Sequence, residues 1–146
     1  MKSAIFLYAI AAFLWDSQSD AKVFERCQLA RELAKHGVPD EQIPTFVCIA
    51  SRESGGDSGK IDYKTGRHGV FQIDEHVWCS PYERPGRECE ASCSSFRDDF
   101  IGDDIACAMK IYKDTKQLSS VGYDAWGSYW EHCASGNNLE YVEGCY

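Results

Sequence analysis

The 146-residue chain contains no Cys-x-x-Cys pair and no Asn-x-Ser/Thr sequon, and His36, His68, His76 and His132 show no paired ligand spacing. Without those spacings a structural zinc site has little to build on, and without a sequon there is no acceptor for N-linked sugar. Basic residues are in deficit: 15 Lys and Arg against 23 Asp and Glu leave a net charge of −8 with His neutral. That balance gives no electrostatic footprint for nucleic acid or for an anionic membrane face. There is no repeat, low-complexity tract or long linker, and the length leaves no room for a second large domain. Long apolar runs are absent but for residues 4–15, and those 12 residues are too few to span a bilayer.

What is present gives that run a meaning. Lys2 precedes it, and Ser19 and Ala21 place small residues at −3 and −1 of a cleavage site. Residues 1–21 therefore read as a signal peptide and residues 22–146 as a secreted, extracellular domain of net charge −7. In that compartment eight cysteines, an even number, read as four disulfides, although spacing alone leaves 105 connectivities open. Hydrophobic residues at 44% and aromatics at 13% supply a packed core.

Apolar spacing predicts a helix over residues 22–36, stopped by Gly37, and a second running from Pro44 to Glu53 before Ser54, Gly55 and Gly56. Residues 55–95 hold six Gly and two Pro with short β-prone runs such as 69–73, which reads as a small sheet and loops. Helical spacing returns over residues 103–113, and a last aromatic stretch holds Trp126, Tyr129 and Trp130. Helices at both ends around a β/loop insert make the fold class α+β.

Residues 22–31 (KVFERCQLAR), 47–54 (VCIASRES) and 69–73 (GVFQI), with Trp78-Cys79, Ala106-Cys107-Ala108 and the Trp126…Cys133 spacing, resemble the c-type lysozyme and α-lactalbumin family. The resemblance spans residues 22–146 and includes every cysteine in order. It implies a helical lobe and a small antiparallel β lobe with a cleft between them. It also implies the disulfides Cys27–Cys145, Cys48–Cys133, Cys79–Cys93 and Cys89–Cys107. The activity it implies is hydrolysis of β-1,4 bonds in peptidoglycan or a related amino-sugar polymer, by a monomer with no organic cofactor.

Glu53 is the strongest candidate for chemistry. It ends an apolar helix, where the helix dipole and apolar neighbours disfavour a charged carboxylate. The family places its proton-donating Glu at this position, packed against a Trp that matches Trp126. The second family carboxylate falls on Arg67, a guanidinium that cannot attack an anomeric carbon and would oppose positive charge developing there. Asp74, facing Arg67 by the implied hairpin, is the candidate replacement; Asp62 is a poorer one, because the segment from Glu53 to Arg67 is shortened. An Arg67–Asp74 ion pair is the structural alternative. Gln72, Trp78, Asp114 and Trp126 match saccharide-binding positions, whereas Val77 replaces a common cleft aromatic. About five extra residues between Asp114 and Trp126 are expected to reshape one lip.

Asp98, Asp99, Asp103 and Asp104 put four carboxylates into seven residues, a density that calls for solvation or a hard cation. By the resemblance, Asp98, Asp103 and Asp104 with the carbonyls of Ser95 and Phe100 match a structural calcium site. Two functions follow: a secreted glycosidase, slowed by Arg67, or a non-catalytic calcium-binding protein that binds carbohydrate or modulates a partner. A purely structural disulfide module would explain neither Glu53 nor the cleft residues.

Overall fold

The computed structural model describes residues 20–146; the signal-peptide expectation falls almost wholly outside the described residues. Three α-helices surround a three-stranded antiparallel sheet in the order α1 (Arg26–Lys35), α2 (Ile43–Ser54), β1 (Ile61–Asp62), β2 (Arg67–His68), β3 (Ile73–Asp74), α3 (Gly102–Ser119). A 3-10 turn (Cys93–Arg97) precedes α3, and a π-helical turn (Tyr129–Cys133) and a second 3-10 turn (Leu139–Tyr141) follow it. No described helix is long and apolar enough to cross a membrane.

Helix α1 begins in a reciprocal capping box: the Glu25 side chain takes an N-terminal amide, and the Glu25 amide donates to Gln28 Oε1 at 3.0 Å. Helix α2 carries Pro44 in its first turn and ends at Gly55 in the left-handed region, φ 64°. Between these caps α2 is buried on nearly every face, as a central helix must be. Phe46 is its hub, meeting Phe71, Tyr112, Tyr123 and Trp126 edge-on at 5.4–6.1 Å between centroids. Fully burying such a ring contributes on the order of 1.5–3 kcal/mol. The disulfides join Cys27–Cys145, Cys48–Cys133, Cys79–Cys93 and Cys89–Cys107, and no described cysteine is free.

Two expectations are corrected. The run 69–73 is a turn rather than a strand up to Ile73, because Gly69 (φ 76°) and Gln72 (φ 49°) both leave the extended region. The turn drives Val70 and Phe71 into the core. Helix α3 runs six residues past Lys113, so the extra residues lengthen a helix, which closes at Ser120 (φ 70°).

Candidate active site

The sheet puts Arg67 at the centre of a three-residue row: Asp62 is its Cα partner on β1 and Asp74 on β3. Both acids turn back onto their own loops. Asp62 Oδ1 accepts the Lys64 and Thr65 amides at 3.0 and 3.3 Å, and the Thr65 side chain and Lys64 amide hold this exposed carboxyl below its ordinary value. Asp74 Oδ1 accepts both the His76 amide and His76 Nδ1–H, at 2.8 and 2.7 Å. Arg67 forms no ion pair among the described residues, so the Arg67–Asp74 pair considered above is not made.

Arg67, Gln72, Ile73, Asp74, Trp78, Ile111, Ala125 and Trp126 line a cavity of about 130 Å³ where the sheet meets α3 and the aromatic stretch. Its back wall is fixed by Trp126, which is buried and donates Nε1–H to the Phe71 carbonyl at 2.9 Å. Gln72 is also buried, its amide donating to the Gly69 carbonyl at 2.9 Å and lying 3.2 Å from that of Lys60. Of the residues expected at this site, Gln72, Asp74, Trp78 and Trp126 come together. Asp114 does not: it pairs with Lys110 Nζ at 2.8 Å and lines a separate open groove along α3. The extended helix supplies the i,i+4 partner that holds it there.

Glu53, half-buried at the end of α2, is tied to the cavity's rear wall rather than lining it. Ser128, two residues beyond Trp126, donates its hydroxyl to Glu53 Oε1 at 2.8 Å. Ser54 Oγ donates to the Val70 carbonyl at 2.7 Å, pinning the helix end to the β2–β3 turn. Lys60 Nζ donates to the Glu53 carbonyl at 2.6 Å. Ser128 lies 75 residues from Glu53, and no sequence pattern marks such a hydroxyl.

Behind the sheet a second chain of contacts was not legible in the sequence. Arg97 Nη1 donates to His68 Nδ1 at 3.0 Å, and His68 Nε2 meets Glu75 Oε2 at 2.8 Å. Because a guanidinium can only donate, His68 carries its proton on Nε2 and gives it to Glu75. His68, Glu75 and Cys93 are the only three potential metal-ligating groups within 4.8 Å of one another among the described residues, but the Cys93 sulfur is consumed by its disulfide.

At the start of α3, Asp104 is fully buried and neither carboxylate oxygen has a hydrogen-bond partner. Burial, then repulsion from Asp103 and Asp98, pushes its carboxyl well above the ordinary range. Asp98 is raised for the same reasons, burial first. An orphaned buried carboxylate beside two more acids suits a hard cation, so the donor set fits calcium. The three acids stand wider than 4.8 Å, so a cation would have to draw them in.

The C-type lysozyme/alpha-lactalbumin family profile covers residues 22–145. The chain belongs to the C-type lysozyme/alpha-lactalbumin family. It is 35% identical over 133 residues to a lysozyme C of Colobus angolensis, covering 85% of this chain and 86% of that protein. It is 36% identical over 118 residues to a lysozyme of Bombyx mori, covering 79% and 82%. The crystal structure of a lysozyme from Litopenaeus vannamei superposes with a TM-score of 0.75 at 30% identity, covering 86% of this chain and 98% of that one. Membership of the family supports a lysozyme-like function.

Proposed function

We propose that this chain is a secreted glycosidase that cleaves β-1,4 bonds of peptidoglycan or a related amino-sugar polymer slowly, with Glu53 as proton donor and Asp74 as the opposing anion. One observation carries the reading: Asp74 is the only carboxylate lining the Trp78–Trp126 cavity. Its hydrogen bonds from the His76 amide and ring both end on Oδ1, which leaves Oδ2 for positive charge developing on a sugar ring. Arg67 beside it opposes that charge, so turnover should fall well below that of a site with two free carboxylates. Trp78 offers an aromatic face for a sugar ring. Calcium, held by Asp98, Asp103 and Asp104 with the Ser95 and Phe100 carbonyls, would be structural, neutralising the acids that open α3.

Arg67 also favours a second reading, in which the cleft binds saccharide and does not hydrolyse it. A turbidity assay on Gram-positive cell walls from pH 4 to pH 8, with the Glu53→Gln and Asp74→Asn variants, separates the two. Slow clearing that both variants abolish supports the enzyme. No clearing by the wild type, with saccharide still bound, supports the binding protein.

A further inference from the structure

Arg67 is a half-buried residue of the cavity lining, with no ion-pair partner among the described residues. Its five N–H donors can only donate, so no neighbouring donor can satisfy them. Neither of its Cα partners, Asp62 and Asp74, makes an ion pair with it, and each turns Oδ1 onto donors of its own loop. Asp74 is moreover paired with His76, which lowers its claim on a cation. A planar fork of donors in a partly desolvated recess is the arrangement that accepts a carboxylate or sulfate through two parallel hydrogen bonds.

The surroundings narrow the ligand further. Trp78 and Trp126 line the same cavity, with the largely buried Ile73 and Ile111 beside them. An oxyanion alone would leave those surfaces unused, whereas a pyranose ring bearing one would use both. At about 130 Å³ the recess admits about one ring, not an oligosaccharide, so a longer glycan must anchor a single acidic unit there. The net charge of −8 opposes dense polyanions at long range, but screening over roughly 8 Å leaves a contact at one guanidinium largely local.

We infer that this cleft selects acidic saccharides, Arg67 clamping the carboxylate or sulfate of a pyranose that packs on Trp78 in front of the buried Trp126. The inference rests on the saccharide-cleft reading above and adds the chemical class of the ligand. A neutral sugar offers the same guanidinium only uncharged oxygens to donate to, and leaves its charge without a counter-ion.

The test is calorimetric titration of the mature protein with three probes of similar length. These are a neutral N-acetylglucosamine trisaccharide, a glucuronate-containing amino-sugar tetrasaccharide and a sulfated N-acetylglucosamine trisaccharide. We expect at least one acidic probe to bind about tenfold or more tighter than the neutral one, a preference that shrinks as salt is raised. Whichever acidic probe binds tighter identifies the group recognised. Arg67→Gln should reduce the ratio to near unity, and Arg67→Lys should retain part of it, which separates loss of charge from loss of fold. Equal affinity for all three probes would overturn the inference but leave the cleft a saccharide site. Failure of every probe to bind the wild type would overturn both.

Discussion

Arg67 and Asp74 face each other across β2 and β3, yet no ion pair joins them, because Asp74 Oδ1 is held by His76 two residues away. Closing a two-residue contact costs little chain entropy, and a side chain that caps its own turn competes well with a partner across the sheet. The strand register thus places a cation and an anion side by side in the cavity without cancelling either. The chemistry expected of the site follows from that.

Arg67→Asp should increase hydrolysis of cell-wall substrate, by about tenfold or more, because it replaces an opposing charge with an anion beside the reacting ring. The gain should appear in kcat, and Glu53→Gln should remove it in the doubly substituted protein. An Arg67→Asp variant that binds saccharide but turns over no faster than the wild type would show that Arg67 is not what limits the rate.

Trp126→Phe should cost about 1–3 kcal/mol of stability, since it leaves the buried Phe71 carbonyl without the donor now at 2.9 Å. Urea unfolding monitored by far-UV circular dichroism measures this. Saccharide affinity should fall as well, because the same ring forms the back wall of the cavity.

The sequence made the helical frame legible through local physics: the apolar run of α2 is bounded by Pro44 and by a glycine able to take φ 64°. Gln72 at φ 49° is different, because nothing in a residue of that type announces a left-handed conformation, and the run 69–73 was read as extended. The polar residues after Lys113 hide the continuation of α3, and with it the Lys110 partner of Asp114. The Arg97–His68–Glu75 chain and the Ser128 contact to Glu53 escaped for another reason. They join residues up to 75 positions apart through side chains that carry no periodic signal. The disulfide pairing came from the resemblance, since spacing could not choose it.

Gly69→Ala should be among the more damaging single methyl additions. At φ 76° a Cβ would stand 2.2 Å from the Phe96 carbonyl oxygen and 2.8 Å from Asp104 Oδ2. The backbone cannot yield as a flexible side chain would, so a loss above about 2 kcal/mol is expected. Gly127→Ala, with nothing within 4 Å and no positive φ, should stay within about 0.5 kcal/mol of the wild type. Chemical denaturation of the two variants side by side checks the contrast.

Asp104 should link stability to pH and, if the proposed calcium binds, to calcium in opposite directions. Burial, then the charges of Asp103 and Asp98, raise its carboxyl well above the ordinary value in the folded protein. In EDTA the folded chain therefore keeps a proton that the unfolded chain releases near pH 4, and stability from this group falls as pH rises from there through the raised folded value. Asp98, raised in the same direction, adds to the fall. The melting temperature of the wild type relative to Asp104→Asn should accordingly decline as the pH rises above about 4 in EDTA. Calcium requires the charged carboxylates, so saturating Ca²⁺ should abolish that decline and stabilise the wild type by roughly 2.7 kcal/mol at a hundredfold excess over Kd. Mg²⁺ should substitute poorly, because it demands a tighter octahedral shell and gives up water reluctantly. Asp104→Asn should be the more stable protein in EDTA at neutral pH and the less stable one in calcium. Melting curves that keep the same order in both buffers would remove the cation from this site.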